Sequence, residues 1–190
     1  MDSILPTEIM IDGKGYAIDP STENCIDIMQ LFEDPDVTET AKYKTMLAML
    51  YLDPPPYCEE SLRAAVDFLN GGEEPAQTAQ SSAPKRRYYS FTQDLKYIRS
   101  AVQRTHGVNL REKWDLHWWV FIEMFMELDE NCTFSQMLYL RQGKAKNRLS
   151  KEEKKRWREM KDILVLKDTQ SEAERTAVEE QLAYLEGLSG

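Results

Sequence analysis

Apolar side chains recur at intervals of three and four residues along most of the chain, which predicts a mainly α-helical protein. Tyr43, Met46 and Leu50, for example, share one face of a predicted helix. A run of three prolines ends this helix. The ends of the other helices are predicted from capping residues, Gly and Pro. The predicted helices cover about 22–34, 39–52, 58–69, 91–106, 110–128, 134–140, a segment after Ser150, and 171–188.

The start of the chain has a different pattern. Residues 8–18 contain two short apolar stretches on either side of Asp12-Gly13-Lys14-Gly15. Because glycine supplies the positive φ of a tight turn, this segment predicts a β-hairpin. An isolated hairpin is only marginally stable, so we expect it to pack on the helices.

Composition divides the chain into four parts. Residues 73–87 carry no bulky apolar side chain, which is typical of a flexible linker. We therefore expect two small helical subdomains joined by this linker, and a C-terminal helix with acidic residues around Val178, Leu182 and Leu185. That helix either docks internally or pairs with a neighbouring subunit. The expected parts are the hairpin with its helical subdomain (1–72), the linker (73–87), the second helical subdomain (88–166) and the acidic C-terminal helix (167–190).

The charge changes sign twice along the chain, whose net charge is −9. Residues 1–80 hold 4 basic and 16 acidic side chains, residues 81–161 hold 18 and 10, and residues 162–190 hold 2 and 7. Segments of opposite charge attract complementary partners, and another copy of the same chain is one of these.

Several functional classes have no support in the sequence. The apolar runs are shorter than the roughly 20 residues of a membrane-spanning helix, and the start carries no secretory signal, so we expect a soluble cytoplasmic protein. Cys25, Cys58 and Cys132 are odd in number and lack metal-ligand spacing, which predicts three free thiols. Phosphate-binding loops, nucleophile elbows and His/Cys clusters are absent from the sequence. We therefore expect a protein that is not an enzyme and needs no cofactor or metal.

Three of the four tryptophans lie within six positions. Trp114, Trp118 and Phe125 recur at helical spacing, and Trp119 widens their apolar face. Such a cluster anchors a core, fills a pocket in a partner, or stacks on a flat ligand. Helical spacing argues against the stacking role, while the core and the partner surface both stay open.

A basic stretch follows, with ten basic and three acidic side chains in residues 141–161. We consider four of its cations as candidates for electrostatic contact with a partner: Arg141, Lys144, Lys146 and Arg148. Cations beside Trp157 also raise the possibility of nucleic-acid binding, because phosphates attract cations and bases stack on aromatic rings. Because an overall acidic chain repels polyanions, we expect a solvated face here and not a nucleic-acid site.

Several short motifs between Tyr88 and Leu166 resemble those of a known family. They are Tyr-Tyr-Ser-Phe-Thr-Gln-Asp at 88–94, Gly-Val-Asn-Leu at 107–110, Leu-His-Trp-Trp at 116–119, Phe-Ser-Gln at 134–136, Arg141, and Ser-Lys-Glu-Glu-Lys at 150–154. Together with the hairpin and the helix end at Gly71-Gly72, they look like the "gene-product fifteen" family of siphophages and prophages of Gram-positive bacteria. The Leu-His-Trp-Trp motif is the most specific of them.

The resemblance implies a role in the assembly of a long phage tail. In that family the gene typically lies between those of the major tail protein and the tape-measure protein, which is the position of tail-assembly chaperones. The implied protein is a non-enzymatic chaperone that binds the tape measure, tail-tube subunits, or both. It is expected to act as a homo-oligomer in the host cytoplasm and to leave before the virion matures. A structural virion component, such as a connector or tail-completion protein, is the main alternative, and a nucleic-acid-binding regulator is a further one.

Overall fold

A computed structural model describes residues 5–72 and 87–166 and confirms a mainly helical protein with a short N-terminal hairpin. The elements of these residues are β1 (Glu8–Ile11), β2 (Lys14–Ala17), α1 (Thr22–Glu33), α2 (Glu39–Leu50), α3 (Glu59–Leu69), α4 (Phe91–His106), α5 (Trp118–Met126), α6 (Thr133–Ala145), α7 (Lys151–Glu159) and α8 (Lys161–Leu164). The predicted linker, apart from Arg87, and the predicted C-terminal helix lie outside the described residues.

The hairpin packs against the helices, as its marginal stability in isolation requires. β1 and β2 pair antiparallel around a two-residue turn, Asp12-Gly13. Both turn residues have positive φ, 49° and 76°, which matches the twist of the flanking strands. Just after β2, Ile18 pairs with Tyr51 at the end of α2. The hairpin is thereby joined to the helical part of the chain.

Serine and glycine residues cap several of the helices. Ser21, Ser90 and Ser150 are the N-caps of α1, α4 and α7, and each side chain accepts a hydrogen bond from the backbone N–H three residues later. The Glu153 side chain completes a capping box with Ser150. Gly107 ends α4 in the left-handed conformation, with a φ of 71°, which glycine adopts without strain.

The prediction for the Trp-rich helix was wrong about its start. α5 begins at Trp118, because the preceding residues form a turn and an extended segment. In the turn, the side-chain oxygen of Asn109 accepts the Arg111 N–H at 3.1 Å, a local bond that competes with helix formation. His117 then has a ψ of 138°, which is extended backbone. Trp114 therefore lies before the helix whose apolar stripe it was predicted to join.

α6 extends beyond its predicted end and runs over Thr133–Ala145. Arg141 and Lys144 therefore lie on a helix and not in a basic loop. Gly143 lies within this helix and packs against the side chain of Leu149. An added Cβ would come within 2.4 Å of a Leu149 methyl carbon. The glycine is thus a packing position.

Buried apolar side chains from both sides of residues 73–86 share one main core. Ile26 and Met46 belong to it from the first part of the chain, and Ile98 and Phe121 from the second. A smaller cluster joins α6 to α8, and its buried members are Met137, Leu140, Leu149 and Leu164. The division into two subdomains remains a prediction.

Candidate functional site

The two indoles of the Leu-His-Trp-Trp motif bind the end of α3. Trp118 Nε1 donates to the Leu69 carbonyl at 2.8 Å, and Trp119 Nε1 donates to the Phe68 carbonyl at 2.9 Å. The last carbonyls of a helix lack an intrahelical donor, so the indoles supply one. Trp118 is only 2% exposed. Trp119 is half-buried and stacks on Phe68. Both tryptophans are therefore engaged by the same helix end.

The glycine pair after α3 makes room for Trp119. Gly71 and Gly72 have φ values of 85° and 73°, which side chains with a Cβ rarely adopt. A Cβ on Gly72 would also lie 2.8 Å from the Trp119 ring. The helix end and the Leu-His-Trp-Trp motif, which are distant in sequence, are thus two halves of one junction.

His117 caps α5 and holds the segment before β1. Its Nδ1 accepts the Trp119 N–H at 3.1 Å, and its Nε2 lies 2.9 Å from the Pro6 carbonyl. Because Nδ1 accepts from a backbone N–H, the neutral ring carries its proton on Nε2 and donates it to Pro6. One side chain therefore joins the N-terminal segment to the start of α5.

We expect His117→Ala to lower the free energy of unfolding by about 1–2 kcal/mol, because it removes an N-cap and the donor to Pro6. His117→Asn keeps a capping acceptor but loses the contact with Pro6 and the edge contacts of the ring with Phe68 and Trp119, so its loss is smaller, about 0.5–1 kcal/mol. Urea unfolding followed by circular dichroism measures both variants. Equal losses would show that the imidazole does not act as a cap.

Backbone groups of the motif complete the junction at the start of α1. The Leu116 carbonyl accepts both the Thr22 N–H at 2.8 Å and the Thr22 hydroxyl at 2.7 Å. The Trp118 N–H donates to the Pro20 carbonyl at 2.7 Å. Since Thr22 is fully buried, pairing of its hydroxyl offsets the cost of removing it from water. Residues 116–119 thus contact Pro6 and Pro20 on either side of the hairpin, Thr22 at the start of α1, and the end of α3. We call this set of contacts the aromatic junction.

Trp114 and Phe125, the other aromatic candidates, are half-buried and engaged within the chain. The Arg99 guanidinium lies over the Trp114 ring, 4.5 Å from its centroid, which is cation–π geometry. The rings around Phe125 are those of Tyr89, Phe91, Phe121 and Phe134. Phe125 thereby joins α5 to the starts of α4 and α6.

Arg141 lies in the interior and not with the surface cations. Its side chain is 4% exposed, and its Nη1 and Nη2 atoms bind the two carboxylate oxygens of Asp94 at 2.6 and 3.0 Å. The guanidinium also donates to the backbone carbonyls of Tyr88, Ile163 and Leu164. It therefore ties α6 to α4 and α8, and in this fold a partner does not reach it.

Asp94 and Glu33 both hold the start of α4, and neither role was predicted from the sequence. Asp94 accepts the Ser90 N–H at 3.0 Å. Glu33, at the end of α1, accepts the Ser90 hydroxyl at 2.6 Å and the N–H groups of Phe91 and Thr92 at 2.9 Å each. The only local signal for Asp94 is its position in the first turn after a capping serine. Glu33 has no local signal, because its contacts lie 57–59 residues away.

Nine of the ten cations of residues 141–161 are exposed. These nine, which we call the basic face, are Lys144, Lys146, Arg148, Lys151, Lys154, Lys155, Arg156, Arg158 and Lys161. Three of the predicted partner-binding residues thus lie together on a surface that begins at the end of α6 and continues along α7. A shallow groove of about 290 Å³ on this surface is lined by Lys144, Leu149, Lys154, Trp157 and Arg158. We call it the α7 groove.

A surface hydrogen bond holds α7 to α6. The Tyr139 hydroxyl donates to the Glu153 carboxylate at 2.7 Å. This bond lowers the pKa of Glu153 and raises that of Tyr139. The Glu153 carboxylate also accepts the Ser150 N–H, so one acidic side chain caps α7 and attaches it to its neighbour.

Metal-binding clusters and membrane-spanning helices are absent from residues 5–72 and 87–166. No group of three or more His, Cys, Asp or Glu is arranged there to hold a metal ion, and none of the helices in these ranges is long and apolar enough to cross a membrane. The prediction of free thiols at Cys25, Cys58 and Cys132 is confirmed. Burial raises the pKa of Cys25, so its reactive thiolate form is disfavoured.

The described residues define a helical protein with an internal aromatic junction and a separate basic face. The family model described as "Bacteriophage Gp15 protein" matches residues 1–166, so the chain belongs to this family of phage proteins. The family resemblance predicted from the short motifs is confirmed, and it indicates a phage structural or morphogenesis protein. No curated protein and no solved structure matches the chain.

Proposed function

We propose that the protein is a tail-assembly chaperone that binds the tape-measure protein, and with it tail-tube subunits, while a long phage tail is assembled. Membership of the phage family supports a role in morphogenesis. The observation that supports the finer role is the separation of an internal aromatic junction from an exposed basic face. The aromatic residues contact their own chain, whereas the cations of the basic face point to a partner. In this role the protein is not an enzyme and uses no cofactor.

Partner contact in the proposed role falls to Lys144, Lys146 and Arg148. Their side chains are exposed at the end of α6 and in the connection to α7. A cluster of cations attracts acidic helical surfaces and accelerates their association. Trp114, Trp118, Trp119, Phe125 and Arg141 instead hold the fold that presents this face.

Co-expression of the full chain with the tape-measure protein of the same phage tests the role. We expect the chain to raise the soluble fraction of the tape measure and to co-purify with it. The triple variant Lys144→Glu, Lys146→Glu and Arg148→Glu should weaken the complex about tenfold, because each surface ion pair contributes roughly 0.5 kcal/mol. Unchanged solubility without a complex would contradict the chaperone role.

A matched control separates a specific surface from total charge. Arg104, Arg111 and Lys113 are exposed cations on the α4–α5 side of the chain. Their replacement by Glu changes the net charge by the same amount as the triple variant of the basic face. We expect the control to retain the complex. Equal weakening in both triple variants would contradict the assignment of the partner surface to the basic face.

The proposed chaperone works in the host cytoplasm as a homo-oligomer and is missing from the mature virion. The alternation of acidic and basic segments supports self-association. DNA and RNA are not proposed as partners, because the whole chain has a net charge of −9. Mass spectrometry of purified virions tests the departure. Stoichiometric amounts there would contradict a departing chaperone and support a structural virion component, which the family match also fits.

A further inference from the structure

α7 is a surface helix with one apolar residue on the side that faces the rest of the chain. It contains no buried residue, unlike the seven other described helices. Its only apolar side chain is Trp157, which is half-buried against the small cluster of α6 and α8. In the α7 groove, Trp157 and Leu149 form the apolar floor, while Lys144, Lys154 and Arg158 form a basic rim. Such a groove fits an amphipathic acidic segment.

We infer that residues 171–188 of the same chain dock in the α7 groove. The apolar positions of this segment recur at steps of four and three, at Val178, Leu182 and Leu185, and match the apolar floor. Residues 167–190 hold six acidic and two basic side chains, and their net negative charge matches the basic rim. Binding of this segment covers Trp157 and neutralises part of the basic face.

The point where the described chain ends brings this segment close to the groove. The last helix, α8, ends at Leu164, which belongs to the same buried cluster as Leu149 of the groove floor. Residues 167–170 separate the described chain from the docking segment, and four residues span at most about 14 Å. A short connection of this kind gives an effective concentration in the millimolar range. It therefore favours docking within one chain over docking between two copies.

The inference does not require the proposed chaperone function. Lys146 and Arg148 do not line the groove, so docking leaves them exposed to a partner. At Lys144, in contrast, the docked segment and a partner compete.

Zero-length carbodiimide cross-linking tests the docking on the full wild-type chain without any tape-measure protein. The reagent joins lysine amines to carboxylates that contact them, and mass spectrometry of the monomer fraction identifies the joined residues. We expect carboxylates of residues 171–188 to be joined to Lys144 and Lys154 in preference to Lys96 and Lys113, which are exposed elsewhere. Cross-links formed in equal yield to all exposed lysines would overturn the inference. Joining to the groove only in covalent dimers would also overturn it, since the occupant is then another copy.

Matched variants show whether the groove itself holds the segment. Arg158→Glu reverses a charge on the rim and should lower the yield at Lys144 and Lys154 about fivefold, the size of one surface charge contact. Arg156→Glu makes the same change on α7, but Arg156 is bonded to Gln136 and lines a different depression, so the yield should stay nearly unchanged. Leu182→Ser changes a residue outside the described ranges, in the docking segment itself. It should lower the yield about tenfold through lost apolar burial. Equal yields from all three variants would overturn the docking.

Discussion

Arg141→Ala is expected to lower the free energy of unfolding by about 3–5 kcal/mol, because it leaves a buried carboxylate without its counter-charge. The side chain of Asp94 is 1% exposed, so water cannot replace the guanidinium. The variant also removes the donors to the carbonyls of Tyr88, Ile163 and Leu164. Because these groups come from three parts of the second half of the chain, α4, α6 and α8 should separate at lower urea concentration than in the wild type.

Two further variants serve as controls for Arg141→Ala. Arg141→Lys keeps a positive charge but loses the bidentate fork, so it should recover part of the loss only. Arg148→Ala removes an exposed arginine from the same region and should change stability by no more than about 0.5 kcal/mol. Chemical denaturation of all variants gives the comparison. A loss at Arg141→Ala as small as that at Arg148→Ala would contradict the buried ion pair.

Trp118→Ala is expected to lower the free energy of unfolding by about 3–5 kcal/mol through the cavity that it leaves in the core. Trp118→Phe keeps an aromatic ring but removes the donor to the Leu69 carbonyl, so part of the loss, about 1–3 kcal/mol, should remain. This second variant distinguishes the hydrogen bond at the end of α3 from simple apolar packing. Thermal and urea unfolding by circular dichroism measure both changes.

Trp157→Phe is the matched control for Trp118→Phe. Trp157 is half-buried, and within residues 5–72 and 87–166 its indole has no hydrogen-bond partner comparable to Leu69. We therefore expect a loss below about 1 kcal/mol. If Trp118→Phe and Trp157→Phe lowered stability equally, the aromatic junction would not depend on the indole N–H of Trp118.

The starts of α1, α4 and α7 were predictable because capping is local. At Ser21, Ser90 and Ser150, the capping side chain and the backbone N–H that it accepts lie within one turn of helix. The residues that fix the helix start are therefore neighbours in the sequence. The start of α5 was not predictable in this way. The backbone at His117 is held extended by contacts with Ser21 and Pro6, which lie far away in the sequence. The apolar periodicity before Trp118 therefore indicated a helix where long-range contacts impose a different conformation.

The chemistry of the candidate site was predictable only in part. Lys144, Lys146 and Arg148 are exposed, as cations in a polar stretch usually are. Arg141 looks the same in sequence, but its partner Asp94 lies 47 residues earlier. The Leu-His-Trp-Trp motif identified the family from sequence alone. Its structural role depends on carbonyls about fifty residues away, at 49 and 51 positions before the two indoles, so core and partner surface could not be distinguished.

The roles proposed for the aromatic junction and for the basic face predict different effects of mutation. The aromatic junction joins the hairpin, α1, α3 and α5, and mutations there should act through stability. Mutations of Lys144, Lys146 and Arg148 should act through partner binding with little effect on unfolding, since surface charges contribute little to stability. This difference separates loss of fold from loss of function in any set of variants.

Hydrogen exchange of the indole N–H groups, followed by NMR on the full-length chain, tests most directly whether the Leu-His-Trp-Trp motif joins parts of the fold. The indole protons of Trp118 and Trp119 donate to the carbonyls that end α3, so they should exchange only when the aromatic junction opens. The indole proton of Trp157 has no such acceptor within residues 5–72 and 87–166, so it should exchange faster even when residues 171–188 cover the ring. Slow exchange at Trp118 and Trp119 is the predicted result, and exchange at both as fast as at Trp157 would contradict the aromatic junction.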